Sequence, residues 1–271
     1  MNPAQHPHRL PRNLLLRLAY DGTDYSGWQI QPQRPTIQGT LAEAFARVTG
    51  ESVQICGSGR TDAGVHACEQ AANVQLSAPI PCANLQQVLN DHLPESIRVL
   101  SVEEVPLEFH ARRDARSKTY RYRIYRGTVC PPWLCRYVYP FPFPLDLEAM
   151  QAAAREFIGR QDFRSFASAD DSTRDETRST VRTIISSVLE PTEEELVYTV
   201  VGDGFLHHMV RNLVGTLLLL GRGGLPADSI PAILAARDRS AAGPTAPARG
   251  LHLVKVEYPS LGQSQPLARI G

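Results

Sequence analysis

The chain has 271 residues, of which 42% are hydrophobic and 21% charged, and its 28 basic and 28 acidic side chains cancel. This composition excludes a disordered chain, and the length allows one large domain or two ordinary ones. The most apolar run, Leu213–Leu220, is too short to span a bilayer, and Met1–Asn13 lacks an apolar signal core. Neither a membrane protein nor a secreted one is predicted.

The five cysteines form no C-x-x-C pair, and their odd number favours reduced thiols over a disulfide framework. We therefore expect a cytoplasmic protein without a cysteine zinc site. The zero net charge conceals an uneven distribution, because residues 109–126 carry seven cationic side chains against the single carboxylate of Asp114. Such a local excess can bind phosphate groups even on a neutral protein.

Apolar periodicity and turn residues predict a first run of elements in the order β-α-β-β-α-β, which is the ferredoxin-like unit. Thr36 is the expected N-cap of the first helix, and Gly50 ends it. The predicted elements are strand Asn13–Tyr20, helix 37–49, strands Val53–Cys56 and Ala71–Leu76, helix Asn84–Leu93 and strand Ile97–Val105.

The second run reads β-α-β-β-α-α-β. It comprises strand Ser117–Arg126, helix Leu147–Ile158, strands Thr180–Leu189 and Leu196–Val201, helices Phe205–Leu220 and Ser229–Ala236, and strand Leu251–Tyr258. The repeated order predicts an α+β fold of two ferredoxin-like (RRM-like) halves, 13–108 and 109–260. We expect them to share one broad, mainly antiparallel sheet, with helices on one face and the active-site cleft between the halves.

The segment between Cys56 and Ala71 is long for a hairpin loop and combines glycines with Arg60, Asp62 and His66. It is neither a dinucleotide fingerprint nor a phosphate-binding P-loop, because the required glycine and G-K-[ST] are missing. In one interpretation, Arg60 and Asp62 form an ion pair that only braces the loop. In the other, arginine keeps Asp62 ionised as a nucleophile toward an electrophilic carbon, such as the sugar carbon of a nucleoside. His66 fits a hydrogen-bonding brace better than a general base.

Gly59–Ala67 resembles the catalytic motif of the TruA family of tRNA pseudouridine synthases. Other stretches resemble that family in the same order, from about residue 13 to 258: Tyr25–Gln31, Thr36–Gly39, Phe109–Arg112, Lys118–Tyr122, Asp162–Phe166, Val181–Ile184, Phe205–Asn212 with Gly215, and Gly250–Leu251. The chain departs from the family at Ile80, where a basic residue is common, so a tRNA contact is not expected there.

The resemblance implies that Asp62 is the nucleophile that attacks the target uridine. It also implies that Tyr120 stacks on the uracil and assists removal of the carbon-5 proton, and that Arg211 pairs with Asp62 across the cleft. Leu251 would form an apolar wall for the base, while Arg60 would brace Asp62 and fill the space that the flipped base leaves. The residues expected to contact tRNA are Phe109, His110, Ala111, Arg112, Arg113, Arg174 and Arg178.

The resemblance further implies isomerisation of uridine to pseudouridine at positions 38, 39 and 40 of the anticodon stem-loop. The reaction needs no cofactor, and the expected enzyme is a homodimer in which one tRNA touches both subunits. A metal is not predicted, since His207 and His208 would be adjacent on a helix and point about 100° apart. Two alternatives stay open: a non-catalytic RNA-binding protein with two RRM-like halves, and a nucleoside or glycoside hydrolase that releases a base.

Overall fold

A computed structural model describes residues 10–168 and 179–259 of the chain. The first half contains six regular elements in the predicted order. They are β1 (Arg12–Tyr20), α1 (Ile37–Thr49), β2 (Ile55–Gly57), β3 (His66–Leu76), α2 (Cys82–His92) and β4 (Ile97–Val105).

The second half follows its predicted order as well, with two short additional strands. Its elements are β5 (Ser117–Tyr125), β6 (Tyr139–Pro140), α3 (Leu147–Arg155), β7 (Gly159–Asp162), β8 (Val181–Pro191), β9 (Glu195–Gly202), α4 (Met209–Gly221), α5 (Ile230–Ala236) and β10 (Leu251–Glu257). No helix of the described residues is long and apolar enough to cross a membrane. All five cysteines are free thiols, as predicted.

Helix α1 shows how local sequence sets an element. The Thr36 hydroxyl accepts a hydrogen bond from the Gly39 amide at the N-terminus, and Gly50 ends the helix in the left-handed conformation at φ 74°. Ile37 and Phe45, two helical turns apart, are fully buried against the sheet. The predicted caps and apolar face of this helix are therefore confirmed.

One ten-stranded sheet runs through the molecule in the order β4-β1-β3-β10-β5-β9-β8-β7, with β2 paired to β3 and β6 to β5. Strand pairs are antiparallel except β10 with β3 and β5 with β6. The first half has the strand order β4-β1-β3-β2, and the second half repeats it as β10-β5-β9-β8. This confirms the predicted α+β fold of two ferredoxin-like halves in a shared, mainly antiparallel sheet.

Strand β3 joins the halves because β2 from the first half and β10 from the second both pair with the same edge of it. Near its end, residues 72–74 pair with β2, whereas His66 and Ala67 at its start pair with His252 and Leu253 of β10. The loop 58–65 leaves the sheet between these two pairings. The topology therefore places the glycine-rich loop at the junction of the two halves.

Two boundaries differ from the prediction in ways that matter for the site. Strand β3 begins at His66 rather than Ala71, so the loop has only eight residues. Helix α4 begins at Met209 rather than Phe205, because His208 has a left-handed backbone with φ 58° and cannot continue a right-handed helix. His207 and His208 consequently precede the helix.

Candidate active site

A cleft of about 780 Å³ opens over the junction and is lined by both halves. Asp62 is the only carboxylate among the described residues that line it. Tyr120 and Leu251 lie on its wall, as does Arg60. Four of the five residues predicted for catalysis and base binding therefore line the cleft. The fifth, Arg211, does not line it but contacts Asp62.

Asp62 is held from the second half. Its Oδ2 accepts a hydrogen bond of 3.1 Å from Nη1 of Arg211, and the two side chains are 20% and 15% exposed. The Arg211 Nε donates to the Ala246 carbonyl at 2.8 Å, which fixes the guanidinium. Asp62 and Arg211 are 149 residues apart in the chain, so their ion pair forms only when loop 58–65 and α4 come together.

Loop 58–65 is anchored through its carbonyl groups. The Trp28 amide donates to Thr61 O at 3.0 Å, and the Gln70 side chain donates to Gly59 O at 2.9 Å. Because both anchors come from the first half, the loop has a fixed shape independent of its contact with Arg211. Asp62 therefore has little freedom to leave the cleft.

Two glycines allow neighbouring backbone to approach this loop closely. A Cβ on Gly22 would lie 2.0 Å from the Val65 carbonyl oxygen. Gly27 has φ +92°, and a Cβ there would lie 2.6 Å from Thr61 O. Both positions therefore require glycine for the loop to keep this conformation.

His66 braces the start of β3 and does not face the cleft. It is buried, its Nδ1 accepts from the Gly22 amide at 3.2 Å, and its Nε2 donates to the Arg136 carbonyl at 2.9 Å. Burial lowers the pKa of His66, although the Asp21 carboxylate, 3.2 Å from Nδ1, opposes this shift. These contacts tie the start of β3 to Gly22 and Arg136, which agrees with the bracing role expected of His66.

Tyr120 presents a largely buried ring, in edge contact with Phe205 at 5.0 Å between centroids. Burial, and after it the charges of Tyr20 and Asp62, raise the pKa of the Tyr120 phenol. The phenol therefore stays protonated at neutral pH and is a poor acceptor for a carbon-bound proton. Its ring offers a surface on which a base can stack.

The expected ion pair within the loop is absent from the described residues. Asp62 pairs with Arg211 instead, and Arg60 has no ion pair with Asp62 there. The Arg60 side chain is exposed and lines the cleft. Among the described residues the cation that pairs with Asp62 is therefore Arg211, which approaches from the other half, and the bracing role of Arg60 stays a prediction.

The prediction that His207 and His208 lie on a helix and point apart is wrong. Since both precede α4, their rings do not diverge as helix neighbours would, and the ring centroids lie 3.8 Å apart. Their Nε2 atoms lie 3.7 and 3.5 Å from the Asp62 oxygens Oδ1 and Oδ2, respectively. Burial lowers the pKa of His208, with opposition from the nearby Asp62 charge. The geometric argument against a shared metal ligand set therefore fails.

The basic side chains of residues 109–126 divide between the cleft and the side of β5 that faces away from it. Arg112, Arg113 and Lys118 line the cleft, together with Arg182 from β8. Arg121 and Arg123 alternate to the other side, where Arg123 forms an ion pair with Glu195. Only part of the excess positive charge therefore faces the site.

The other predicted RNA contacts have different positions. Phe109 and Ala111 are buried, and the Ala111 backbone bonds to Asn73 and to Tyr258. Both side chains are packed inside the protein, directly before the arginines that follow, and their contact with RNA stays a prediction. His110 lines the cleft. Arg174 and Arg178 lie outside the described residues.

Lys118 is a cleft residue that was not predicted as a site residue. It is 9% exposed, and its Nζ donates to Ser58 O at 2.7 Å, which adds a third anchor for the loop. Burial, with Arg112 and Arg182 nearby, lowers the pKa of Lys118 to about 8. The sequence did contain a signal for this position. In the alternating pattern of β5, Lys118 is the only charged residue on the face that carries Tyr120.

Comparison with known proteins identifies the family. The sequence model described as tRNA pseudouridine synthase matches residues 18–114 and 153–259. The chain belongs to the tRNA pseudouridine synthase family. Members of this family are isomerases, so the predicted family and enzyme class are confirmed.

Curated relatives match over nearly their whole length. The chain is 50% identical to tRNA pseudouridine synthase A of Solibacter usitatus, over 91% of this chain and 100% of the relative. It is 45% identical to the enzyme of that name from Caldicellulosiruptor bescii, with the same coverage. The Brevibacillus brevis protein is 46% identical over 89% of this chain and 97% of its own. An archaeal box H/ACA sRNP Nop10–Cbf5 complex matches structurally at 12% identity with a TM-score of 0.32, which is too low for a comparison of sites.

Proposed function

We propose that this protein isomerises uridine to pseudouridine at positions 38, 39 and 40 of the tRNA anticodon stem-loop, with Asp62 as the nucleophile. The observation that carries this proposal is the position of Asp62. It is the only carboxylate lining the cleft among the described residues, and it is paired with Arg211 at 3.1 Å. A carboxylate in this position can attack the target uridine from below a stacked base.

The reaction is a rearrangement that needs no external cofactor. During attack by Asp62 the bond between uracil N1 and the sugar C1′ breaks, and the uracil turns. A bond then forms between C5 and C1′, and the bond to the Asp62 carboxylate breaks, which frees the enzyme. The proton leaves C5 and a proton is gained at N1, so substrate and product have the same composition. Tyr120 stacks on the uracil, and its raised pKa argues against a role for its phenolate as the base that takes the C5 proton.

The uridine must leave the helical stack to reach Asp62, at a cost on the order of a few kcal/mol. Arg60 fills the space that the base leaves, and Leu251 forms the apolar wall of its pocket. Arg112, Arg113 and His110 grip the tRNA backbone at the mouth of the cleft and offset this cost. Residues 13–108 supply the nucleophile loop, and residues 109–260 complete the cleft. The enzyme is a cytoplasmic homodimer in which one tRNA contacts both subunits.

The proposed reaction is tested with unmodified tRNA that carries tritium at carbon 5 of its uracils. The protein should release tritium and form pseudouridine at positions 38 to 40 without releasing free uracil. Free uracil would instead identify a hydrolase, and binding without tritium release would identify a non-catalytic RNA-binding protein. Pseudouridine at other positions only would contradict the anticodon assignment.

Arg112, which lines the cleft before β5 begins, and Arg121, on the side of β5 away from the cleft, provide a matched pair of variants for the RNA contact. Arg112→Ala should weaken tRNA binding by about 3- to 10-fold and reduce the salt dependence of binding by about one phosphate contact. Arg121→Ala removes the same charge from the opposite side and should leave both quantities unchanged. Filter binding at several salt concentrations measures both, and equal effects of the two variants would contradict a cleft-directed grip.

A further inference from the structure

Three potential metal ligands converge in the cleft. One carboxylate oxygen of Asp62 and one imidazole nitrogen each from His207 and His208 all lie within 4.8 Å of one another. The individual distances from the Asp62 oxygens to the histidine Nε2 atoms are 3.5 and 3.7 Å. The three side chains are 20% to 34% exposed, so an ion can reach them from the cleft.

The backbone holds the two rings in place. The left-handed conformation of His208 turns both side chains toward Asp62 before α4 begins, with 3.8 Å between the ring centroids. Nδ1 of His208 lies 3.0 Å from the Ser168 hydroxyl, which leaves its Nε2 directed at Asp62. A hydrogen-bond partner on the other ring nitrogen orients histidine ligands in metal sites.

The spacing suits a small tetrahedral ion. With metal–ligand bonds of about 2.0–2.1 Å, neighbouring ligand atoms of a tetrahedral zinc site are about 3.4 Å apart. The His207 Nε2 lies 3.7 Å from Oδ1 of Asp62 and the His208 Nε2 3.5 Å from Oδ2. One ligand atom from each residue lies within 4.8 Å of the other two, so binding to one carboxylate oxygen needs only a small shift of the side chains to reach that edge length. Arg211 contacts Oδ2 of Asp62, so one carboxylate oxygen can bind an ion while the other stays paired with the guanidinium. Two imidazoles and a carboxylate select zinc or a similar transition metal over magnesium.

We propose that Asp62, His207 and His208 form an inhibitory site for a divalent transition-metal ion such as Zn²⁺. The three residues supply three ligands, and the fourth position opens into the cleft, where water binds. An ion there occupies the carboxylate oxygen and blocks access of the uridine to Asp62. The metal site itself is independent of the reaction, and its inhibitory effect rests on the proposed function of Asp62.

Metal binding is measured without turnover. Co²⁺, added to the metal-free protein, should bind with a stoichiometry of one per chain, give the visible absorption of a tetrahedral site, and be displaced by Zn²⁺. His207→Ala and His208→Ala should each weaken this binding at least about 10-fold. His92→Ala, at the exposed end of α2, is the matched control and should bind Co²⁺ like the unaltered protein. Absence of the tetrahedral absorption, or equal affinity in all variants, would overturn the site.

Asp62→Asn provides a second test, since it keeps the side-chain shape but removes the charged ligand, and it covers the case of a histidine variant that does not fold. It should also lose tight Co²⁺ binding. In the unaltered protein, Zn²⁺ should stop tritium release, EDTA should restore it, and Mg²⁺ at the same concentration should have no effect. Co²⁺ and Zn²⁺ binding with undiminished turnover would overturn the inhibitory role and the nucleophile assignment, while the metal site would stand.

Discussion

Asp62→Asn should lower the rate of pseudouridine formation by at least about 10⁴-fold, because an uncharged amide cannot replace the nucleophile. Binding of tRNA should change by less than about threefold, since the arginines at the mouth of the cleft are untouched. The amide is nearly isosteric and can still accept a hydrogen bond from Arg211 through its oxygen, so the fold should persist. Single-turnover tritium release gives the rate, and filter binding gives the affinity.

A matched control is Asp24→Asn, which removes a carboxylate that is 72% exposed and paired with Arg136 on the surface. It should retain full activity. Turnover by the Asp62 variant at more than a tenth of the normal rate would refute the nucleophile assignment. Loss of both binding and turnover would instead show that Asp62 holds the fold of the cleft.

Gly215→Ala is expected to be the most damaging change of a single methyl group. In an exposed helix, replacing glycine by alanine stabilises by roughly 0.5–1 kcal/mol. Here the new Cβ would lie 1.6 Å from the Pro244 carbonyl oxygen, because the segment 243–246 crosses α4 in direct contact with its backbone. We expect a loss of about 3 kcal/mol or more in the free energy of unfolding, measured by urea denaturation.

The same change should reduce turnover in the fraction that stays folded. The Ala246 amide and carbonyl both bond to Arg211, at 3.1 and 2.8 Å, so displacing the crossing segment displaces the partner of Asp62. Gly204→Ala is the control: its Cβ would lie at an ordinary 3.5 Å from the Arg182 side chain. A Gly215 variant as stable as the Gly204 variant would show that the crossing segment adjusts without cost.

The sequence predicts most of the elements because their signals are local. Alternating residues define β5, and the cap residues Thr36 and Gly50 bound α1. The pairing of Asp62 with Arg211 also agrees with the prediction, although it was drawn from family resemblance. Nothing in the spacing of two residues so far apart in the chain indicates that they meet.

The features that were missed depend on tertiary contacts. Strand β3 extends back to His66 because its first residues pair on both edges. Strand β1 pairs with Ala67 and Gln70, and β10, almost 190 positions further along the chain, pairs with His66 and Ala67. The left-handed backbone of His208 has no signal in its residue type, since histidine usually takes a negative φ. The four residues of β7, a glycine followed by three polar residues, show no strand periodicity, and pairing with the edge of β8 makes them a strand.

Because β2 and β10 share one edge of β3, the enzyme can lose activity without unfolding. The parallel pairing that joins the halves involves only two residues on each strand, although ring stacking of His66 on His252 reinforces it. Local opening of this parallel pairing would leave the strands of each half paired with one another while separating Asp62 from Arg211. Catalytic activity therefore depends on the pairing of β3 with β10. Activity can be lost at a temperature or urea concentration at which spectroscopy still detects a folded chain.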